Sequence, residues 1–289
     1  GSDMHAFLGH DERRPSPLIL GHEAAGIVIG GVNDGKRVTI NPLTTCGTCR
    51  ACKAGRDNLC PDRLIISMPP REGAFGELVV MADRNLVEVP DDVPFAKAAL
   101  AEPLACGWHA VRLGAAALDL PLAEARCVVI GGGAIGVGAA LSLRAFGATD
   151  IQVIEPNAVR RATLDGIEGF TAVEPGTVTA ADLIIDGVGY AATRADATAI
   201  VRPGGVIMHI GLGEGTGGLD IRRMTLQEIT FIGTYTYTAQ DFRDTAAAIF
   251  DGRLGALDWT EERPLCEGQQ AFEDIRAGRV AAPKIILQP

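Results

Sequence analysis

The sequence lacks long apolar runs, and its first residues lack the pattern of a secretory signal. No stretch of eighteen or more consecutive apolar residues occurs in the chain, which argues against a transmembrane helix. The first residues show no basic stretch followed by an apolar core, as a signal peptide would. We therefore expect a soluble, cytoplasmic protein without a membrane partner.

Clustered basic residues are also scarce. The 26 Lys and Arg residues are outnumbered by 36 Asp and Glu residues, which gives a formal net charge of −10. Nucleic-acid binding depends on neutralising phosphates with grouped Lys and Arg side chains, so this charge argues against a nucleic-acid partner. Hydrophobic residues make up 47% and charged residues 21% of the 289 positions, a balance typical of one large or two ordinary globular domains.

Cysteine, by contrast, is concentrated in one place. Four of the seven cysteines fall within "CGTCRACKAGRDNLC", at Cys46, Cys49, Cys52 and Cys60. Disulfides seldom persist in a reducing cytoplasm, so this spacing indicates thiolate ligands for a metal. Four thiolates complete the tetrahedral coordination of Zn²⁺ without an open position, which predicts a structural zinc. An iron–sulfur cluster is the alternative for four thiolates, although no other feature of the chain suggests electron transfer.

A second motif lies in "RCVVIGGGAIGVGAALSLRAFGATDIQVIE", residues 126–155. An apolar, strand-like run leads into Gly131, Gly133 and Gly136, which are spaced as G-x-G-x-x-G, and a helix-like apolar segment follows. The first glycine permits a tight turn, the second lets the backbone approach a pyrophosphate, and the third lets helix and strand pack closely. The pattern predicts a dinucleotide whose pyrophosphate lies on the helix N-terminus.

The identity of the dinucleotide is predicted from the acidic residue that follows the second strand. Glu155 can accept hydrogen bonds from both ribose hydroxyls of NAD and would repel a 2′-phosphate, so NAD is favoured over NADP. Arg160 and Arg161 follow closely and could soften that preference; solvated charges on a helix face are the alternative interpretation, above all for Arg161. We expect the cofactor site to be lined by the glycine turn, two of these side chains and a later loop, namely Gly131, Gly133, Ala134, Ile135, Gly136, Glu155, Arg160 and Val188.

Strand-like and helix-like segments alternate through the second half of the chain and predict a doubly wound parallel sheet. Besides the two strands of the glycine motif, the predicted strands are residues 170–173, 182–186, 205–210 and 228–234, with a helix over 191–201. Residues 20–90 contain the runs "AAGIVIG", "KRVTI" and "AFGELVVM", which are typical of a separate, mostly β domain. The last residues contain one helix and one strand, too little to fold alone, so we expect them to return to the first domain.

Four stretches carry a family resemblance: "GHEAAGIV" at 21–28, the cysteine-rich segment, "AEPLACGWHAV" at 101–111 and "VVIGGGAIG" at 128–136. Together they resemble the zinc-dependent medium-chain dehydrogenases, in the sorbitol and threonine dehydrogenase branch of the alcohol dehydrogenases. The resemblance spans nearly the whole chain. It implies an α/β fold with a GroES-like, β-rich catalytic domain over residues 1–103 and 238–289. A Rossmann domain over residues 104–237 would bind NAD, and the active site would lie between the two domains.

The resemblance also implies a reaction and the residues that carry it. Hydride would pass from a secondary alcohol or polyol to NAD⁺, beside a catalytic zinc that polarises the substrate hydroxyl. His22, Glu23 and Glu102 match the ligands or outer-shell groups of that zinc, and Ser2 and His5 match a relay for the alcohol proton. The plainer interpretations are helix capping for Glu102 and an exposed histidine in a frayed terminus for His5. The low aromatic content, 5%, favours a polar substrate.

The sequence departs from the family pattern at its first residue. In the family a cysteine, the first ligand of the catalytic zinc, immediately precedes the stretch that matches "GSDMH", and nothing precedes Gly1 here. We therefore expect one firmly held zinc and a second site that is weak or empty. The alternative function is a non-catalytic protein that binds NAD and zinc. A zinc-free quinone reductase relative would share the fold, but it would not explain His22 or the cysteines.

The resemblance finally implies a homo-oligomer. Members of this branch form dimers or tetramers through their Rossmann sheets. The run "EITFIGTYTYT" at 228–238 is apolar enough to be buried at such a sheet edge, and a central strand is the alternative for it.

Overall fold

The amino-terminal part of the chain is a small β-rich unit. The computed structural model describes residues 1–289. The helices and strands of this unit are α1 (Ser2–Phe7), β1 (Ala25–Ile27), β2 (Arg37–Ile40), β3 (Leu43–Thr44), α2 (Arg50–Lys53), β4 (Leu64–Ile65), β5 (Leu86–Glu88) and α3 (Phe95–Ala98). Strands β1, β2 and β5 form an antiparallel sheet in that order, and β3 pairs with β4. Val38, Ile40 and Ile66 form its buried core.

A six-stranded parallel sheet with helices on both faces follows. Its elements are α4 (Ala101–Ala117), β6 (Arg126–Ile130), α5 (Ala134–Ala145), β7 (Asp150–Ile154), α6 (Ala158–Leu164), β8 (Thr171–Val173), β9 (Ala181–Asp186), α7 (Ala191–Ile200), β10 (Val201–His209), α8 (Ile221–Leu226), β11 (Thr230–Gly233) and α9 (Ala239–Phe250). The strand order is β11-β10-β9-β6-β7-β8, and every neighbouring pair is parallel. The order reverses at β6, where folds of this kind bind their ligands.

Burial on both faces explains why these strands are continuously apolar. All six residues of β9 are buried, as expected for a parallel strand between two helical layers. The larger core lies between the sheet and helices α4, α5 and α9. The smaller core lies on the opposite face, against α7 and α8. The doubly wound α/β sheet predicted from the sequence is therefore confirmed.

The carboxyl-terminal residues contact the amino-terminal unit. They form β12 (Thr260–Pro264), α10 (Gly268–Arg276) and β13 (Lys284–Gln288), and β12 pairs with β13 in parallel. Phe272 of α10 stacks on Phe7 of α1 with ring centroids 4.7 Å apart. Lys284 at the start of β13 forms an ion pair with Glu23. The last strand therefore brings a cation next to a predicted metal ligand.

One predicted strand does not form. Residues 74–81, "AFGELVVM", contain no strand, and Leu78 and Val80 are 74% and 84% exposed. A β-strand needs a neighbouring backbone to satisfy its hydrogen bonds, and a run of apolar side chains does not supply one. The run at 228–238 contributes β11, which is an edge strand of the parallel sheet. None of the helices combines the length and apolar composition that crossing a bilayer requires.

Candidate active site and metal centres

The four cysteines at positions 46–60 meet at one point, and we term residues 46–63, which contain them, the cysteine lobe. Cys46 Sγ lies 3.5 Å from Cys60 Sγ and 3.9 Å from Cys52 Sγ, and Cys49 Sγ lies 3.5 Å from Cys52 Sγ. None of the four is in a disulfide. A tetrahedral zinc with Zn–S bonds of about 2.3 Å places its sulfurs about 3.8 Å apart. The cysteine lobe therefore fits the structural zinc predicted from the spacing.

The local backbone structure brings the four sulfur atoms together. Cys49 caps the short helix α2, and its Sγ accepts a hydrogen bond from Cys52 N at 3.5 Å. Cys46 Sγ accepts one from Cys49 N at 3.3 Å. Hydrogen bonds from the Thr48 and Cys49 backbone lower the pKa of Cys46 to about 6. The thiolate is the form that binds a metal, and backbone donors stabilise it.

A second group of candidate ligands comprises His22, Glu23 and Glu102, which we term the His22–Glu102 cluster. One ligand atom from each residue lies within 4.8 Å of the others. His22 and Glu23 lie in the irregular segment directly before β1, whereas Glu102 is in the first turn of α4. The fold therefore joins residues that lie far apart in sequence. An imidazole and two carboxylates are ligands that zinc accepts, and three protein ligands leave a position open for substrate.

The charges around this cluster favour a bound cation. The His22 Nδ1 atom is buried without a hydrogen-bond partner, 3.4 Å from Asp3 Oδ1. Burial alone would lower the pKa of His22, but Asp3 and the two glutamates outweigh it and raise the pKa to about 9. Burial also raises the pKa of Glu102. Three carboxylates gathered in a protein interior require compensation by positive charge. Lys284 supplies part of it through its ion pair with Glu23, and a metal ion would supply the rest.

Three side chains around the cluster were not predicted from the sequence. Asp3 lies beside His22 and also accepts a hydrogen bond from Gly21 N at 3.2 Å. Lys284 pairs with Glu23. Tyr237 donates a hydrogen bond from its hydroxyl to Glu102 Oε1 at 2.8 Å. Asp3 lies between Ser2 and His5, the two residues predicted as a proton relay. This position is the only feature of the sequence that could have indicated a role for Asp3 in the site. Nothing in the local sequence indicates the roles of the other two.

The glycine turn has the geometry that its spacing predicts. Gly131 has φ of +100°, and a Cβ atom on Gly136 would lie 1.7 Å from Gly131 O. These positions therefore require glycine, for backbone conformation and close packing respectively. A Cβ on Gly133 would meet no protein atom within 4 Å, because this residue borders open space at the N-terminus of α5. The unpaired N–H groups there suit a pyrophosphate.

The acidic residue after β7 contacts this turn directly. Glu155 is 3% exposed; its Oε2 accepts a hydrogen bond from Gly132 N and its Oε1 one from Asn157 N, both at 2.9 Å. Arg160 Nη1 lies 3.4 Å from Glu155 Oε2, and Arg160 Nε is buried without a partner. The turn thus carries a fixed carboxylate and an incompletely satisfied guanidinium beside it, where an adenosine ribose would lie.

A cavity of about 1310 Å³ joins the two regions. His22, Glu23, Asp3 and Lys284 line it on one side. The predicted cofactor residues line it on the other side, namely Gly131, Gly133, Ala134, Ile135, Gly136, Glu155, Arg160 and Val188. Glu102 is buried behind the lining. Ser2 and His5 lie in α1 outside the lining and share no hydrogen bond, so their relay stays a prediction.

Comparisons with known proteins agree with this geometry. The family model described as "Alcohol dehydrogenase GroES-like domain" matches residues 1–91, and the one described as "Zinc-binding dehydrogenase" matches residues 134–251. The chain is 32% identical to sorbitol dehydrogenase of Bacillus subtilis, over 82% of this chain and 72% of that protein. It is 27% identical to "Probable D-xylulose reductase A" of Neosartorya fischeri, over 96% of this chain and 84% of that protein.

A solved structure shows the same fold. L-idonate 5-dehydrogenase from Escherichia coli superposes with a TM-score of 0.86 at 23% identity, over 99% of this chain and 87% of that one. The matched families, the sequence relatives and the two ligand clusters point to one assignment. The chain belongs to the zinc-dependent medium-chain dehydrogenases, in the branch that contains sorbitol dehydrogenase.

Proposed function

We propose that this chain is a zinc- and NAD-dependent dehydrogenase that oxidises a secondary alcohol group of a polyol to a carbonyl group. The observation that carries the proposal is the shared cavity, in which His22 and Glu23 face the glycine turn at Gly131–Gly136. The names of the two sequence relatives, a sorbitol dehydrogenase and a D-xylulose reductase, favour a polyol as the substrate. The charged lining around Asp3 and Lys284 suits a ligand rich in hydroxyl groups.

The residues of the chain provide position and charge for this reaction. Zinc held by the His22–Glu102 cluster would lower the pKa of a substrate hydroxyl, and NAD⁺ would accept the hydride. Asp3 lies against the His22 ring and favours one orientation of it, as outer-shell carboxylates do for histidine ligands. Lys284 balances the charge of Glu23. The Tyr237 hydroxyl donates a hydrogen bond to Oε1 of Glu102, which leaves Oε2 of Glu102 to bind an ion.

The proposed domain division follows the elements that build the two sides of the cavity. We assign residues 1–103 and 238–289 to the catalytic domain and residues 104–237 to the NAD-binding domain. In support, the parallel sheet runs from β6 to β11, and β13 places Lys284 beside Glu23. Helix α4 crosses the boundary and carries Glu102 at its catalytic end. Helix α9 also joins the two units, because it follows the boundary but packs into the core of the parallel sheet.

We also propose a homo-oligomer, a dimer or tetramer, that forms through the parallel sheet. Strand β11 is at the edge of that sheet, and an edge strand presents unpaired backbone groups that can pair with another chain. A cytoplasmic location is proposed as well, because the cysteine lobe needs reduced thiols. Light scattering on the purified protein tests the assembly, and a monomeric mass at micromolar concentration would contradict it.

The enzymatic proposal is tested with a panel of polyols and secondary alcohols. Purified protein is incubated with each compound and NAD⁺ or NADP⁺, reduced cofactor is followed by absorbance, and zinc is quantified in the same sample. We expect turnover of at least one polyol with NAD⁺. Glu102→Gln should lower kcat/KM by about 10–100-fold, whereas Glu124→Gln, at an exposed position, should leave it unchanged. Bound NAD⁺ and zinc without turnover of any compound would favour the non-catalytic alternative.

A further inference from the structure

Residues 235–239, which we term the tether, connect the cysteine lobe to the His22–Glu102 cluster. At the lobe end, Asn58 Nδ2 donates a hydrogen bond to Tyr235 O at 2.7 Å. The carboxylate of Asp57 accepts hydrogen bonds from Ala239 N at 3.2 and 3.1 Å. Asp57 and Asn58 lie in a short 3-10 turn between Cys52 and Cys60. Two consecutive lobe residues therefore hold the tether at both of its ends.

The middle of the tether reaches the predicted ligand Glu102. Tyr237 is 1% exposed, and its hydroxyl donates to Glu102 Oε1 at 2.8 Å. A carboxylate oxygen can only accept a hydrogen bond, so the phenol is the donor in this pair. A hydrogen bond from a neutral donor to a buried carboxylate fixes the orientation of that carboxylate. Tyr237 therefore sets where the second Glu102 oxygen points.

The backbone conformation of the tether is unfavourable and depends on contacts with the neighbouring lobe. Thr236 has φ of +47°, a conformation that is costly for a β-branched residue and persists only when the surroundings impose it. The hydrogen bonds from Asn58 to Tyr235 and from Ala239 to Asp57 flank Thr236 on both sides. Arg63 of the lobe adds a third contact, because its guanidinium lies over the Tyr235 ring, 4.7 Å from the centroid.

We propose that the cysteine lobe positions the Glu102 carboxylate through the tether, so that the folded lobe determines how firmly the His22–Glu102 cluster holds its ion. Asp57, Asn58 and Tyr237 act in this scheme as positioning residues. The inference depends on the proposed function, because it takes the His22–Glu102 cluster as the site of the reactive zinc. It gives the structural metal a role in the active site although none of its four cysteine ligands lines the cavity.

The test measures metal affinity at the two sites separately. Protein reconstituted with Co²⁺ reports the lobe through thiolate-to-cobalt charge-transfer absorption and the other cluster through its ligand-field bands. Both are followed against increasing chelator concentration. Asp57→Asn and Asn58→Ala should each weaken binding at the His22–Glu102 cluster by about 10-fold, with lobe binding and NADH affinity unchanged. Asp62→Asn, an exposed lobe residue without a hydrogen bond to the tether, is the matched control. Wild-type affinity in both tether variants would overturn the inference.

A double-mutant cycle tests whether Asn58 influences Glu102 through Tyr237. Tyr237→Phe removes the last contact of the tether with Glu102 and should weaken the same cluster by about 10-fold. Adding Asn58→Ala to Tyr237→Phe should cause no further loss, because the path is already broken. Multiplied losses in the double variant would show that the two residues act independently and would refute the tether. Failure of the unmodified protein to bind a second ion would instead refute the proposed function.

Discussion

Two substitutions in the glycine turn, Gly133→Ala and Gly136→Ala, should have different effects. The first should weaken cofactor binding alone, and the second should also lower the stability of the fold. A Cβ atom on Gly136 would lie 1.7 Å from Gly131 O, so helix α5 and the turn must separate by roughly 1.3 Å or more to relieve the overlap. Such overpacking costs about 1–3 kcal/mol of unfolding free energy. Gly136→Ala should therefore lower the melting temperature by several degrees and weaken NADH binding, because the turn is displaced.

Gly133→Ala should instead fold normally and lose the cofactor. A Cβ on Gly133 meets no protein atom within 4 Å, and φ of −78° suits any residue, so we expect stability within about 1 kcal/mol of the unmodified chain. The added methyl group projects into the space where the pyrophosphate would approach α5. We expect NADH affinity to fall by at least about 10-fold, which corresponds to about 1.4 kcal/mol.

Thermal unfolding without cofactor and NADH titration by calorimetry measure the two effects on the same preparations. A folded Gly133→Ala variant that binds NADH with unchanged affinity would refute the placement of the dinucleotide over this turn. An unchanged melting temperature for Gly136→Ala would refute the packing argument.

Three further perturbations follow from the described contacts. Cys49→Ser should remove one tightly held zinc per chain, and an unchanged zinc content by metal analysis would contradict the assignment of the cysteine lobe. Glu155→Ala should lower the ratio of kcat/KM for NAD⁺ over NADP⁺ by about 10-fold; a preference for NADP⁺ in the unmodified enzyme would show that Glu155 has a different role. Asp241→Asn should destabilise the chain by about 1.5–3 kcal/mol in urea unfolding, because it weakens the charged hydrogen bonds of a buried carboxylate with His109 and with Arg112, whose side chain is 41% exposed. Burial would raise the pKa of Asp241, but hydrogen bonds from His109 and Arg112 outweigh it and lower the pKa. The contribution of Asp241 is therefore complete above the unfolded pKa of about 3.9 and is lost as the pH falls below it, and a difference between the two proteins that stays constant in acid would contradict this account.

The sequence predicted best the features whose residues are close together along the chain. The lobe ligands fall within fifteen positions and the glycine turn within six, so backbone geometry over a few residues already restricts what they can bind. The strands β6, β7 and β9 were also predicted, because strands buried on both faces are continuously apolar. The run at residues 74–81 has the same apolar character but forms no strand, since pairing depends on a neighbouring backbone that local sequence does not reveal.

Residues that meet only after folding were predicted in part or not at all. Glu102 was assigned through the family resemblance, because its own surroundings also fit a helix start. Lys284 lies 261 residues after Glu23, and its local sequence indicates only a closing strand. Tyr237 lies in an apolar run, and its hydrogen bond to Glu102 depends on how α4 and the tether approach each other.

The sequence alone thus determined the two chemistries of this protein, a thiolate metal site and a dinucleotide turn, since each is encoded in short-range spacing. Only the tertiary structure decided that His22, Glu23 and the glycine turn line one cavity. It also placed Glu102 behind that lining, in contact with Tyr237. The physical reason is that spacing restricts local backbone geometry, whereas contacts between distant residues depend on how whole elements bury their apolar faces against one another.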